Sequence, residues 1–396
     1  MTHHLTGEAG PEELASRLMD QGDLGADWLP AYRAVPREAF VPDVIWAAVS
    51  SGTGHPEGID RAKDPAAWYR AVYADVSLTT QWDDGAHTGT FRGENPTCSS
   101  SQPSVVFSML AALGIPADVP PDFTALEVGT GTGWNAALLS ERLGSSRVVT
   151  VEYDEDNASS ARTRLEAAGY SPVTVVGDGS RGWRPCAPYD RVLVTAGLRE
   201  VPAELVRQTR PGGVLVLPYA TEYGGEGIVR LTVRENGSAS GPFLGDSAFM
   251  RLRQQRPDLP HTRTYLGGEW PGDGRRSETD LSPRAVTGVL PRFAIGLRTP
   301  GVSVFREPYE DGSFTLWLRD DEVTSWATVD QVPGEETFVV YQGGPRELWT
   351  EVRSAFDWWA GQGRPGHERF GLTLAPDGTP LAWLDSPEHP VRPGIS

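Results

Sequence analysis

The stretch Leu126-Glu127-Val128-Gly129-Thr130-Gly131-Thr132-Gly133-Trp134-Asn135-Ala136-Ala137 decides the fold of this chain. Its apolar start, residues 124–128, predicts a buried parallel strand, and residues 135–142 predict the beginning of a helix. Three glycines at alternate positions lie between them. Glycine adopts positive φ at little cost and leaves the backbone open to a ligand. The amides of such a turn and the helix N-terminus favour an anionic or hydroxyl-rich group, so the stretch predicts a nucleotide-type cofactor loop.

The spacing of the loop favours one cofactor. Glu127-x-Gly129-x-Gly131-x-Gly133 follows the strand directly, as in methyltransferases that use S-adenosyl-L-methionine (SAM). A second apolar strand, 147–151, ends in Glu152, where an acid can hold ribose hydroxyls. A third strand, 173–176, ends in Gly177-Asp178-Gly179, where an acid can contact adenine. Three signals at successive strand ends therefore predict a SAM site.

Composition limits the kinds of partner. The formal net charge is −18, which argues against a nucleic-acid or anionic-membrane partner because phosphate binding needs clustered Lys and Arg. Cys98 and Cys186 form no C-x-x-C pair, and the seven histidines have no metal-ligand spacing, so we expect neither a disulfide framework nor a metal. His3 and His4 are interpreted as part of a tail. With no long apolar run and no signal-peptide pattern, the sequence predicts a soluble, cytoplasmic protein. We expect a monomer, although the sequence does not determine the oligomeric state.

Alternation of strand and helix patterns predicts an α/β fold, a Rossmann-like doubly wound sheet with ligands at the carboxyl ends of its strands. With 396 residues, two domains are expected. We predict a methyltransferase domain over 1–253 with insertions near 50–65 and 79–101, a linker over 254–280, and a smaller α+β domain over 281–396 that recognises substrate. In the smaller domain, one amphipathic helix is predicted over 346–360 and short strands over 293–297, 314–318, 337–341, 370–374 and 381–384. The segment 248–253 is also predicted to be a strand.

A long polar loop is predicted over 79–101, and it leads into the apolar helix 105–113. Such a loop is usually functional or disordered. Its last residues, Ser99-Ser100-Ser101, would be aimed at the cofactor cleft, although hydroxyls before a helix are also ordinary N-caps. Asp83 and Asp84 either contact the substrate or solvate the loop.

Residues 11 to about 253 resemble the protein-L-isoaspartate O-methyltransferases. The similarity lies in short phrases that occur in the family's order: Val35-Pro36-Arg37-Glu38-Ala39-Phe40-Val41-Pro42, Ser101-Gln102-Pro103, the 126–133 loop, Val151-Glu152, Gly177-Asp178-Gly179, Tyr189-Asp190-Arg191-Val192-Leu193-Val194-Thr195-Ala196 and Pro211-Gly212-Gly213. The resemblance implies methyl transfer from SAM to the carboxylate of an aspartate-derived residue.

The resemblance also implies roles for individual residues. The family serine at the position of Ser101 lies beside the methyl acceptor, and Ser100 and Ser99 are further candidates. Gly129, Gly131 and Gly133 are expected on the methionine and ribose side, Glu152 at the ribose hydroxyls, and Asp178 with Gly179 at adenine. The remaining predicted cofactor-binding residues are Glu127, Thr130, Asn135, Tyr153 and Thr195.

The insertions, the rewritten 79–101 loop and the long C-terminus depart from the compact repair enzymes of the family. Together with Thr80-Gln81-Trp82-Asp83-Asp84-Gly85, they resemble the relatives that tailor ribosomally made peptides (RiPPs) such as lanthipeptides and graspetides. Those relatives esterify one Asp of a constrained, modified precursor peptide, and the ester closes to an aspartimide that hydrolyses to isoaspartate. Two alternatives stay open. One is a general L-isoaspartate repair enzyme, and the other is a non-enzymatic or different-cofactor protein, for instance an NAD-dependent enzyme that uses the G-x-G-x-x-G/A pattern of Gly131, Gly133 and Ala136.

Overall fold

The computed structural model describes residues 10–48, 57–256, 260, 262–266 and 270–394. The predicted tail at His3 and His4, and residues 50–56 of the predicted insertion, lie outside the described residues. The helices are α1 Pro11–Gln21, α2 Leu29–Ala34, α3 Pro65–Val72, α4 Pro103–Ala112, α5 Trp134–Leu143, α6 Glu155–Ala167, α7 Ala203–Arg207, α8 Thr262–Leu266, α9 Val289–Arg298 and α10 Leu348–Gly361.

The strands are β1 Val44–Ala47, β2 Ile59–Asp60, β3 Leu78–Trp82, β4 Pro96–Ser100, β5 Ala125–Val128, β6 Val148–Glu152, β7 Val173–Val176, β8 Tyr189–Val194, β9 Thr209–Ala220, β10 Glu226–Val233, β11 Ala239–Asp246, β12 Arg275–Thr279, β13 Val302–Pro308, β14 Phe314–Asp320, β15 Trp326–Gln331, β16 Phe338–Gly343, β17 Phe370–Leu374 and β18 Pro380–Leu384. Among the described residues, no helix is long and apolar enough to cross a bilayer.

A large mixed sheet positions the site, in the order β18-β17-β11-β10-β9-β8-β5-β6-β7. Strands β7, β6, β5, β8 and β9 are parallel neighbours, and the remaining pairs are antiparallel. The chain leaves β5 towards β6 and β7 and then returns to the other side of β5 for β8. The switch point of this doubly wound sheet therefore lies between β5 and β8, where ligands bind at the strand ends. The predicted Rossmann-like methyltransferase fold is confirmed.

Strand β5 is almost entirely apolar because both of its faces are buried. Ala125 packs in one core cluster with the helices α1, α2, α4 and α5, whereas Leu126 and Val128 pack in the cluster on the opposite face. Such burial is typical of parallel strands covered by helices on both sides. The glycine loop begins at the carboxyl end of β5. The packing on both faces of β5 therefore fixes the position where the loop begins.

The predicted loop over 79–101 is wrong in part, because β3 and β4 form an antiparallel hairpin. Leu78 is paired with Ser100, Thr79 with Ser99 and Gln81 with Cys98, with register shifts between them. Trp82 at the end of β3 packs its ring edge-on against Trp46, at a centroid distance of 5.9 Å. Buried aromatic contacts of this kind outweigh the polar composition of the strands, on which the loop prediction was based.

The C-terminal part contains an antiparallel sheet in the order β12-β16-β15-β14-β13, against which α9 and α10 pack. The strand predicted over 293–297 is wrong, since these residues belong to α9. Pro291 occupies the first turn of that helix, where proline is tolerated. Segment 275–279, predicted as linker, forms the edge strand β12. Strands β17 and β18 extend the large sheet by pairing through β11, so the predicted 281–396 domain shares a sheet with the methyltransferase part. The numbered division into domains stays a prediction.

Candidate active site

The three loop glycines all have left-handed φ angles, and each meets a different neighbour. Gly129 has φ 100°, and a methyl group there would lie 2.6 Å from the Thr195 hydroxyl oxygen. At Gly133 a methyl group would press on Ala161 of α6 at 3.4 Å, so this glycine serves helix packing. At Gly131 it would approach the Ser99 carbonyl at 3.6 Å, on the open side below β4. Positive φ disfavours a side chain at all three positions, and at Gly129 the Thr195 hydroxyl would clash with it as well.

Glu127 lies fully buried beneath the loop. Its Oε2 accepts a hydrogen bond from the Thr150 hydroxyl at 2.6 Å, and the Thr150 and Thr130 hydroxyl oxygens lie 2.5 Å apart. Burial raises the pKa of Glu127 to about 8, although the Thr150 hydrogen bond opposes the rise. Glu127 Oε1 and Asn135 Oδ1 are buried and have no hydrogen-bond partner in the described part of the chain.

Glu152, at the end of β6, ties the loop to the next helix. Its Oε2 accepts a hydrogen bond from the Gly131 amide at 2.9 Å, and its Oε1 accepts one from the Asp154 amide at 3.0 Å. Tyr153 is half-exposed beside it, and the Arg253 guanidinium lies 5.6 Å from the centre of its ring. The predicted ribose acid therefore lies at the cleft and also shapes the loop.

Asp178, Gly179 and Thr195 lie at the ends of the neighbouring strands. The Asp178 carboxylate accepts hydrogen bonds from the amide and the hydroxyl of Ser180, at 2.9 and 2.7 Å, and so caps its own turn. Gly179 lines the cleft and packs so closely on Val128 that a side chain would clash. The Thr195 hydroxyl donates to the Gly129 carbonyl at 2.7 Å. A contact of Asp178 with adenine stays a prediction.

The three predicted serines all line the cleft, but they differ in the hydrogen bonds that they form. The Ser100 hydroxyl is buried and accepts a hydrogen bond from Arg37 Nε at 3.3 Å. The Ser101 carbonyl accepts one from Arg37 Nη2 at 2.9 Å, whereas no hydrogen bond to the Ser101 hydroxyl occurs within the described residues. Ser99 lies in β4 with its carbonyl over Gly131. Within the described residues the hydroxyls of Ser101 and Ser99 thus have no hydrogen-bond partner, whereas the Ser100 hydroxyl is bound to Arg37, and the choice of Ser101 over Ser99 stays a prediction from the family resemblance.

Arg37 is an organising residue to which the sequence analysis assigned no role. Its guanidinium is 1% exposed, and burial lowers its pKa to about 10, which leaves it charged at neutral pH. It donates hydrogen bonds to the carbonyls of Val72, Ala74, Val76, Ser100 and Ser101. The sequence feature that could have identified Arg37 is its position between Pro36 and Phe40, within a motif on which the family resemblance is based.

A group of arginines at the cleft was also missed, because residues 248–253 were predicted as a strand and those from 254 onward as a linker. Instead Arg251 forms only an isolated bridge with Gly197, and residues 253–255 form a 3-10 turn. Arg251, Arg253 and Arg256 line the cleft. Arg253 forms ion pairs with Asp154 at 2.7 Å and Asp84 at 3.1 Å. Arg256 forms one with Asp84 at 2.8 Å.

The same contacts explain the Thr80–Gly85 phrase. Gln81 donates to Asp154 at 3.1 Å, and the Asp83 carboxylate accepts hydrogen bonds from the amides of Glu94 and Asn95, which hold its pKa low. Asp84 binds the two arginines. Both aspartates therefore have structural partners, and a substrate contact by either one stays a prediction.

These elements enclose a cleft of about 580 Å³. It is lined by the glycine loop, the ends of β6 and β8, the serines and segment 248–253. Among the residues predicted for the site, Glu127, Gly133 and Asp178 are not part of this lining as described. The geometry suits SAM, since the positive φ angles of Gly129 and Gly131 expose the loop backbone to the cleft at the carboxyl end of β5. Glu152, Tyr153, Asn135 and Thr130 line the cleft, and their contacts with a cofactor stay a prediction.

Comparison with known proteins agrees with this geometry. Residues 57–256 match the family described as protein-L-isoaspartate(D-aspartate) O-methyltransferase. The chain is similar to the protein-L-isoaspartate O-methyltransferase of Salinibacter ruber, with 37% identity over 235 residues, 57% of this chain and 82% of that protein. It is also similar to protein-L-isoaspartate O-methyltransferase 2 of Archaeoglobus fulgidus, with 31% identity over 244 residues, 61% of this chain and 92% of that protein.

A solved structure named protein-L-isoaspartate O-methyltransferase shares the fold over 95% of this chain and 100% of its own, with a TM-score of 0.52 and 21% identity. The family match decides between the two cofactors in favour of SAM. The chain belongs to the protein-L-isoaspartate(D-aspartate) O-methyltransferase family and is a SAM-dependent carboxyl O-methyltransferase.

Proposed function

We propose that this protein methylates the free α-carboxylate of L-isoaspartate in peptides and proteins, the reaction for which its relatives are named. One observation in the site carries the proposal: the Ser101 hydroxyl lines the cofactor cleft beside the glycine loop without a hydrogen-bond partner among the described residues. A carboxylate oxygen is a suitable acceptor for that hydroxyl. The neighbouring Ser100 hydroxyl, by contrast, is already bound to Arg37.

The residues of the chain act mainly by placing the acceptor. A free α-carboxyl has an ordinary pKa of about 3.3–3.7, so the acceptor is ionised at neutral pH and needs no general base. SAM, when bound, supplies an electrophilic methyl group. Ser101 orients the acceptor by donating to one carboxylate oxygen, while Arg37 holds the Ser101 backbone through its carbonyl. Alignment of two reacting groups is worth up to about 7–11 kcal/mol, so placement can account for much of the rate enhancement.

A second candidate is a tailoring enzyme that esterifies an Asp in a constrained ribosomally made peptide. The hairpin β3–β4 favours it, because Gln81 and Asp84 tie this hairpin to Asp154 and Arg253 at the cleft. A fixed hairpin over the cleft would favour an acceptor whose own shape is fixed. In the product, the backbone nitrogen that follows the ester attacks the carbonyl, loses its proton, and expels methanol to give the aspartimide.

The experiment is intact-mass analysis after incubation of the full-length protein with SAM and three peptides. The first contains L-isoaspartate, the second has the same sequence with Asp, and the third is a macrocyclised acidic peptide. Gain of one methyl group on the isoaspartyl peptide supports repair. Gain only on the macrocycle, followed by loss of methanol, supports tailoring instead. Absence of methylation on all three would overturn both candidates.

A further inference from the structure

Arg251 is held at the edge of the sheet next to the cofactor loop. The Gly197 amide donates to the Met250 carbonyl at 2.9 Å, and the Leu252 amide donates to the Gly197 carbonyl at 3.0 Å. Gly197 lies two residues beyond Thr195, whose hydroxyl contacts the Gly129 carbonyl. The backbone of Arg251 is therefore fixed against the strand end that also supports the glycine loop.

The guanidinium of Arg251 is only partly used. Its Nη2 donates to the Thr221 carbonyl at 2.9 Å. Its Nη1 is buried and has no hydrogen-bond partner among the residues that the structure describes. Within the same residues, the Arg251 side chain forms no ion pair, and Glu222 is paired with Arg199 instead. Arg253 and Arg256, on the same segment, are both paired with Asp84. A buried charged donor without an acceptor is unfavourable, so this position suits an anionic ligand.

Two acids, Glu222 and Glu226, feel the charge of Arg251, which opposes the rise that burial causes in the pKa of each, and both have other partners. Glu222 pairs with Arg199 at 3.0 Å. Glu226 Oε1 accepts hydrogen bonds from the Ser247 hydroxyl at 3.0 Å and from the Phe249 amide at 2.9 Å. Burial raises the pKa of Glu226, and the charge of Arg251 opposes this rise without a direct ion pair. Glu226 thus shapes the 247–249 segment, and Arg251 Nη1 stays without an acceptor among the described residues.

Arg251 also lies where two cavities adjoin. It lines the cofactor cleft together with Ser101, and it lines a second cavity of about 1010 Å³ formed by the end of the β3–β4 hairpin and segment 247–251. Thr97 and Arg256 line both cavities as well. A peptide in the second cavity would reach the cofactor cleft beside Arg251.

We propose that Arg251 binds the non-reacting oxygen of the acceptor carboxylate, while Ser101 binds the same group from the loop side, so that Arg251 selects carboxylate over carboxamide. This inference rests on the proposed carboxyl methylation. The planar guanidinium stays charged at neutral pH and matches carboxylate oxygens with directed N–H groups. A site with a buried charged donor rejects an uncharged analogue because the donor is then left poorly paired.

The test compares binding of two fluorescent peptides to the full-length protein saturated with S-adenosylhomocysteine. One peptide carries the acceptor residue that the methylation panel identifies, and the other carries its carboxamide counterpart. We expect the wild type to bind the carboxylate peptide more tightly, and Arg251→Gln to reduce that preference by about tenfold or more, the usual effect of losing a hydrogen bond to a charged group. Arg251→Lys should restore part of it. Arg234→Gln is the matched control, since Arg234 is exposed at the end of β10 and does not line either cavity as described.

An unchanged preference in Arg251→Gln, with normal affinity for S-adenosylhomocysteine and normal melting, would overturn the inference. So would equal weakening of both peptides together with loss of S-adenosylhomocysteine binding, since Arg251 would then serve the cofactor. If the wild type methylates none of the panel peptides, the proposed function itself fails, and this inference fails with it. The two failures are distinguishable because only the second abolishes methylation by the wild type.

Discussion

The guanidinium of Arg253 donates to the carboxylate of Asp154 at 2.7 Å, and this ion pair joins the cleft segment to the start of α6. Asp154 is the N-cap of α6, where it accepts a hydrogen bond from the Asn157 amide at 2.9 Å. It follows Glu152 by two residues, so the acid that reaches the glycine loop and the acid that holds the arginine leave the same strand end. Gln81 of the hairpin reaches the same carboxylate. One acid thus connects the hairpin, the cleft segment and the cofactor strand.

Arg253→Gln should lower the free energy of unfolding by about 1–3 kcal/mol, because it leaves the largely buried Asp154 carboxylate without its cation. Arg256→Gln is the matched control and should cost less than about 1 kcal/mol, since both partners of its pair are partly exposed. Denaturant unfolding of the two variants measures the difference. Equal losses in both would show that the Asp154 pair has no special role.

Arg37→Met should destabilise the protein by at least about 3 kcal/mol, because several buried carbonyls lose their donor and each costs about 1–3 kcal/mol. Arg37→Lys keeps a charge and three donors, and it should lose less. Guanidinium chloride unfolding checks both variants. A loss below about 1 kcal/mol in Arg37→Met would contradict the role of Arg37 in holding Ser100 and Ser101.

Ser101→Ala should lower turnover about ten- to hundredfold, since a hydrogen bond to a charged acceptor is worth about 1.5–3 kcal/mol. Affinity for S-adenosylhomocysteine should stay close to that of the wild type. Ser100→Ala should mainly reduce stability, by about 1 kcal/mol, through the lost contact with Arg37. Steady-state kinetics and calorimetry separate the two effects. A larger loss of turnover in Ser100→Ala would move the acceptor role to Ser100.

Glu152→Ala should weaken SAM binding, because it removes both the acid at the cleft and the acceptor for the Gly131 amide. Isothermal titration calorimetry measures the dissociation constant. Asp178→Asn in the same assay tests the predicted adenine contact: a clear loss of affinity supports it, and an unchanged value leaves Asp178 with its cap of Ser180 alone. A dissociation constant unaffected by Glu152→Ala would remove Glu152 from the cofactor site.

Glu127 predicts a pH dependence of stability. Its pKa is about 8 in the folded protein because of burial, whereas an unfolded Glu has a pKa of about 4.3. Between these values the folded state binds the additional proton, so its contribution to stability is complete below about pH 4.3 and is lost as the pH rises towards 8. Glu127→Gln cannot titrate, and its unfolding free energy should fall less between pH 5 and 8 than that of the wild type, by up to about 1.4 kcal/mol per pH unit. Parallel curves for the two proteins would contradict the raised pKa.

Much of the parallel sheet was predictable because its strands are short apolar runs that end in glycine or acid. The bounds of β7 agree with the predicted 173–176, and the loop after β5 lies at the predicted strand end. Outside the parallel strands, the antiparallel strand β17 also has its predicted bounds, 370–374. In contrast, β3 and β4 carry polar side chains at partly buried positions, so their pairing depends on tertiary contacts such as Trp82 with Trp46. Local sequence patterns do not report such contacts.

For the same reason, the site was predictable at the loop but not at its arginines. Gly129, Gly131, Glu152 and Ser101 belong to local motifs, and they meet at the cleft. The pairs of Arg253 with Asp154 and of Arg256 with Asp84 join residues 99 and 172 positions apart. Composition alone suggested a linker from residue 254 onward, because a single sequence does not show which distant acid an arginine meets.

The most direct test of carboxyl methylation uses SAM labelled in its methyl group, the full-length protein and an L-isoaspartyl peptide. A carboxyl methyl ester is hydrolysed by mild base, whereas N-methyl groups and ether-type O-methyl groups are not. We predict that label enters the peptide and is then released as volatile methanol on treatment with base. Failure to label the peptide, or label that survives the base, would contradict the account.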